Sequence, residues 1–228
     1  MFQMEKALII LPAKLSELQS SEEISEEEKV EIYKAILHDT SNYYVEKSKN
    51  TKVYVYFPDY ETCDLLVPVF PLRVKISIIE KENGVYIESI DRAFKEDCKL
   101  VTLVKMTSLF YPIPWINNAY EVLTHKYDVI VTSIYRDSPN RLIGIKKLHE
   151  KFLEIVENEN DELNILRFAS QLDVLYVPLK RIEYVSDLKS LRQIYLDIIN
   201  SSKNDEFKRT KLVLLNILKK RKIPLLDS

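Results

Sequence analysis

Apolar positions along this chain come in two textures. Short, nearly unbroken apolar runs alternate with longer stretches in which apolar residues return every three or four positions. The first texture predicts strands buried on both faces, and the second predicts helices with one apolar side. Strands are expected over residues 6–13 ("KALIILPA"), 51–58 ("TKVYVYFP"), 72–80, 99–106 ("KLVTLVKM"), 127–133 and 172–179, with 140–148 a strand or a strand-to-helix junction. Helices are expected over 85–97, 115–126, 148–157, 161–171, 185–202 and 206–222. An earlier helix opens at Ser25, with Glu28 three residues on completing a capping box; Ile32, Ala35, Ile36 and Thr40 then share one face. Ser186 is the expected cap of the 185–202 helix. Strands alternating with helices predict an α/β three-layer sandwich around a mainly parallel sheet.

Ligands of such sheets bind beyond the carboxyl ends of the strands, where strand order reverses. The residues just past those ends are Pro12, Lys14, Asp59, Glu80, Thr107, Ser108 and Asp137. The stretch "VTLVKMTSLFYPIP" (101–114) reads as a buried strand that feeds a loop and then a helix. Its turn offers Lys105, Met106, Thr107 and Ser108, and no carboxylate for a metal.

Composition narrows the chemistry. With 228 residues, 46% of them hydrophobic, the chain holds enough apolar surface for a large core. Its 33 basic and 35 acidic residues nearly cancel, which argues against a nucleic-acid binder. No apolar run reaches the roughly 20 residues of a membrane-spanning helix, and "MFQMEKALIILPAK" reads as a first strand, not a signal peptide. Cys63 and Cys98 form no C-x-x-C pair, consistent with free thiols in a reducing cytoplasm. His38, His125 and His149 are scattered through helical text and read as helix-surface residues. There are only two glycines, Gly84 and Gly144, so the glycine-rich phosphate loops of dinucleotide-binding and P-loop proteins and the G-x-S-x-G nucleophile turn are absent. Few glycines beside abundant Lys, Glu and Ile give a thermophile-like composition.

Several collinear segments carry a resemblance. "DVIVTSIYRDSPNRLIGIKKL" is similar to a family pattern of Asp-Val-Val, Asp-Gly-Gly, two aromatics and Leu-Ile-Gly-Leu, and holds Asp128-Val129-Ile130, Asp137-Ser138-Pro139 and Leu142-Ile143-Gly144-Ile145. "SEEEKVEIYKAILHDT", "NGVYIESIDRAF", "NNAYEVL" and "RIEYVSDLKSL" match further family helices and the closing element in order. Over about residues 4–196 the chain resembles the glycosyltransferase-A-like radical-SAM/selenodomain-associated transferases, with phospholactate guanylyltransferases as a more distant relative. The resemblance implies a Rossmann-like glycosyltransferase-A (nucleotide-diphospho-sugar transferase) fold, a nucleotide or sugar-nucleotide ligand, and Mg²⁺ or Mn²⁺ bridging its phosphates. It also exposes departures. Thr107 stands where the family's Gly-Ser-Asp-x-Pro turn has its metal-binding Asp, and Lys105 stands at the glycine. The Lys-Thr-Arg-Leu phosphate motif is reduced to Lys14, and the later acidic pair becomes Arg181 and Glu183.

The sequence therefore predicts a transferase-like nucleotide-binding domain over 1–202 with a degenerate metal site, weak or no transferase activity, and a helical appendage over 203–228. Lys14, Lys105, Thr107, Ser108 and Asp137 are expected around the ligand, with Glu183 and Asp137 as the carboxylates for any metal; a site without a cofactor is the other outcome. Lys105 would place its charge where a metal's would be. Arg136 and Arg141 are further phosphate contacts, Tyr111 and Trp115 read as loop-to-helix packing, and Asp187 as a first-turn acid. The alternative is a non-catalytic scaffold or regulatory protein that reuses the fold, as a homodimer through the 206–222 helix.

Overall fold

The computed structural model describes residues 5–18, 23–48, 50–81, 83–136, 138, 140–200 and 207–224. Seven strands form one sheet: β1 (Lys6–Pro12), β2 (Thr51–Phe57), β3 (Lys75–Ile78), β4 (Leu100–Met106), β5 (Val129–Ser133), β6 (Arg141–Ile145) and β7 (Leu175–Pro178). Their order is β3-β2-β1-β4-β6-β5-β7. All pairings are parallel except those of β6, which runs antiparallel to both β4 and β5. The chain winds outward from β1 to β3, then returns to the other side of β1 with β4. Strand order thus reverses between β1 and β4.

The central strands are apolar on both sides because helices cover both faces. Leu8 and Ile10 of β1 pack in one core with Ile32, Ile36 and Phe110, while Ala7, Ile9 and Leu11 pack in a second with Tyr86, Ile90 and Phe152. The first face carries α1 (Glu26–Lys47), α4 (Ile113–Leu123), α7 (Leu188–Asn200) and α8 (Lys208–Lys220). The second carries α3 (Val85–Lys95), α5 (Glu150–Asn158) and α6 (Glu162–Ala169). A short helix, α2 (Tyr60–Leu66), follows β2 and lies outside the periodicity reading. No helix among the described residues is long and apolar enough to cross a membrane.

Helix starts follow the capping logic with one correction. Ser25 and Glu28 form the expected reciprocal box. At α7 the cap is Asp187, not Ser186: its Oδ1 accepts from the Ser190 amide at 2.6 Å, and Ser190 Oγ accepts in return from the Asp187 amide. A carboxylate is the stronger acceptor at a helix N-terminus, so the cap falls one residue later. His149 sits at the start of α5 rather than within it, with Nε2 3.4 Å from Asp128. Helix α3 stops at Lys95, where Asp97 turns left-handed at φ 64°.

Both glycines have a geometric reason. Gly84 opens α3 at φ +80°, and a Cβ on Gly144 of β6 would lie 3.1 Å from Leu123 Cδ1 of α4. Helix α8 contributes Leu214, Ile217 and Leu218 to the same core as α1, with Phe207 before it packed edge-on against Tyr111 at 4.8 Å. Cys63 and Cys98 are free thiols.

Candidate functional site

The end of β4 is anchored from beneath. Tyr33 of α1, fully buried, donates to the Met106 carbonyl at 2.7 Å and accepts from the Ala13 amide at 3.0 Å. One side chain thus ties together the two strand ends between which sheet order reverses. The following turn is fixed by Asn140, also fully buried. Its Oδ1 accepts from the Thr107 amide at 3.0 Å and the Ser108 amide at 3.1 Å, and its Nδ2 donates to Ser108 Oγ.

A cavity of about 190 Å³ opens at this point. Leu11 to Lys14 line it from the end of β1, Phe57 and Pro58 from the end of β2, Lys81 after β3, Lys105 and Thr107 from the end of β4, and Tyr86 and Glu157 from the helical layer. Three lysines and two carboxylates, Glu17 and Glu157, face it. Lys14 pairs with Asp59 at 3.7 Å. Asp59 also caps α2 through the Thr62 amide at 2.7 Å, and that bond, with Lys14 a lesser contribution, holds its carboxyl below the usual range. Exposed Lys81 pairs with half-buried Glu88 at 2.5 Å.

Lys105 differs from the other two. It is partly buried, and among the described residues no hydrogen bond or ion pair closes on its ammonium; Glu157 and Glu17 act on it only at longer range. Burial, then the neighbouring Arg141, push its pKa down. Arg141 lies directly across the ladder from Lys105 because β6 runs antiparallel and starts beside the end of β4. Its guanidinium serves the C-terminus of α5, donating to the Val156 carbonyl, to the Glu157 carbonyl at 3.2 Å and to Asn160 Oδ1. Arg141 is therefore a helix-capping cation here, and Arg136 is exposed.

Glu157 reaches the start of α3. Its carboxylate oxygens accept from the Gly84 amide at 3.0 Å and the Val85 amide at 2.9 Å. Tyr86, 1% exposed, lines the same cavity; its hydroxyl lies near Arg141 but makes no hydrogen bond of good geometry among the described residues, and burial raises its pKa.

The structure gathers Lys14, Lys105 and Thr107 on this cavity. It places Ser108 underneath, where its hydroxyl is spent on Asn140. Asp137 lies outside the described residues. Glu183 lines a different and larger cavity of about 830 Å³, walled by Tyr111, Trp115, Tyr184 and Gln193 between the start of α4 and α7. Sequence reading missed Tyr33, Tyr86, Asn140 and Glu157. Asn140, two residues beyond the Asp-Ser turn, was the one with a local signal.

A divalent cation needs several converging hard oxygens. Among the described residues no group of three or more His, Cys, Asp or Glu side chains is placed to hold one. At the strand-end cavity both oxygens of Glu157 are already committed to amides, and two cations, Lys105 and Arg141, stand side by side. These residues do not fit the metal that the fold family implies.

The strand order, with a lone antiparallel strand beside β4, and a cavity at the reversal point define a nucleotide-diphospho-sugar transferase type of fold. A protein from Desulfovibrio desulfuricans G20 assigned as a nucleotide-diphospho-sugar transferase superposes with a TM-score of 0.68 at 16% identity, over 96% of this chain and 99% of that one. A cytidylyltransferase from Leptospira borgpetersenii serovar Hardjo-bovis superposes with a TM-score of 0.51 at 12% identity, over 99% of each chain. No family model and no curated protein matches the sequence.

Proposed function

We propose that this protein binds a nucleotide or sugar nucleotide at the strand-end cavity and has weak or no transferase activity, as a divergent relative of the glycosyltransferase-A-like radical-SAM/selenodomain-associated transferases. The observation that carries this reading is Lys105: a partly buried ammonium without an ion-pair partner among the described residues, at the reversal point of an α/β sheet. Leaving such a charge unpaired is unfavourable, and a phosphate would complete it. The cavity of about 190 Å³ suits phosphates more than a whole nucleotide, so base and sugar would extend outward past Lys14 and Lys81. Against the family pattern, Thr107 and Arg181 stand where carboxylates would be, and Lys105 and Ser138 where glycines would be, so the acidic and flexible groups of transfer chemistry are reduced. A cytoplasmic location is part of the same reading.

Thermal unfolding against nucleoside diphosphates, triphosphates and sugar nucleotides tests it. A ligand at about 100 times its dissociation constant adds roughly 2.7 kcal/mol, a shift of about 5–10 °C for a chain of this size. A selective shift supports the reading; no shift with any of them contradicts it.

One observation favours the scaffold alternative. Leu212 on the outer side of α8 is 56% exposed and Leu65 of α2 is 46% exposed, and both line one apolar groove with Val69 and Val213. Homodimerisation through this groove predicts that Leu212→Glu lowers the mass seen by light scattering; an unchanged mass rejects it. This substitution is a better probe than deleting 203–228, which would remove Phe207, Leu214 and Leu218 from the core.

A further inference from the structure

We infer that this site neutralises its ligand's phosphates with a fixed ammonium, Lys105, in place of a divalent cation; the inference rests on the nucleotide-binding reading above. The donor set points this way. Glu157 has both carboxylate oxygens bound to the amides that open α3, which leaves Glu17 as the one carboxylate among the described residues lining the cavity without such a commitment. Thr107 offers a hydroxyl, a weak ligand for Mg²⁺ or Mn²⁺. A metal ion entering here would also meet Lys105, with Arg141 one strand away.

The same features serve an anion well. Lys105 springs from β4, a central strand, so its side chain starts from a fixed point at the cavity wall. Partial burial lowers the local dielectric and strengthens a charge-assisted hydrogen bond to phosphate. The buried Tyr86 hydroxyl, without a hydrogen-bond partner of good geometry among the described residues, supplies a neutral donor from the helical layer that lines the same cavity. Exposed Lys14 flanks the mouth. A fixed cation needs no metal to be recruited, and its charge is present whether or not magnesium is.

Isothermal titration calorimetry with UDP, CDP, GDP, ADP and inorganic pyrophosphate, each in EDTA and in excess Mg²⁺, decides the matter. At least one probe is expected to bind in EDTA with an affinity that Mg²⁺ leaves unchanged or weakens. Lys105→Met is expected to weaken that binding by about tenfold or more, and Lys105→Arg to keep most of it. Lys105→Met removes a partly buried charge, so its melting temperature should equal or exceed that of the wild type, which separates lost binding from lost folding. Binding that strengthens about tenfold with Mg²⁺ would overturn the fixed-cation inference and leave the nucleotide reading standing. Binding in EDTA that Lys105→Met does not weaken would do the same. No binding of any probe in either buffer would overturn both.

Discussion

Lys105, Tyr33 and Asn140 stand within a few residues of one strand end, yet each has a different relation to the sequence. Lys105 was legible from position alone, since it ends an apolar run in an α/β pattern. Its isolation was not, because that depends on which residues the fold brings near it. Tyr33 was invisible at the sequence level, since it lies in an unremarkable helix, and Asn140 had only its place after the Asp-Ser turn to mark it. Both make buried hydrogen bonds that hold the turn carrying Thr107. Tyr33→Phe leaves the Ala13 amide and the Met106 carbonyl with only each other, 3.0 Å apart, and should cost about 1–2 kcal/mol in denaturant unfolding. Asn140→Ala exposes two buried amides to an apolar surrounding and should cost about 1–3 kcal/mol, with a loss of ligand response larger than that of Tyr33→Phe.

At the scale of elements, the strands were legible because the chain repeats its apolar texture wherever both faces are covered. The helices were legible because their apolar residues return every third or fourth position. The direction of β6 was not, since an apolar run reads the same either way. That direction decides the site, because it sets Arg141 beside Lys105 and brings Asn140 under the turn. The short α2 escaped notice for a related reason: "YETCDLL" is too brief to show a period, and Asp59 before it read as a strand-end residue of the ligand site. Gly84→Ala would place a side chain on a left-handed backbone and should destabilise by roughly 1–2 kcal/mol, read from the denaturant midpoint. Gly144→Ala would push against Leu123 and should cost about 1–3 kcal/mol by the same measurement.

At the scale of the molecule, α8 closes the structure over α1. Glu28, also part of the α1 capping box, joins the two ends through Arg221 at 2.7 Å, and chiefly that bond holds the Glu28 carboxyl below its usual range. A lowered folded-state pKa contributes stability above the ordinary carboxylate range and loses it as pH falls through the folded value. Melting temperature should therefore fall between about pH 5 and pH 3, and Arg221→Gln should make that fall shallower. An unchanged acid limb in the variant would show that Glu28 is not a contributor. The expectation that residues 203–228 follow the main domain as an appendage can be set beside this packing: buried Leu214, Ile217 and Leu218 share the core of α1.

The central claim is that the strand-end cavity, and not the larger one beside Trp115 and Glu183, receives the phosphates of a nucleotide. A crystal structure of the protein grown with a nucleoside diphosphate and EDTA tests it most directly. The account predicts phosphate density within hydrogen-bonding distance of Lys105 Nζ, with the Tyr86 hydroxyl turned toward it. Density for the nucleotide along Tyr111, Trp115 and Gln193, with Lys105 left bare, would contradict it.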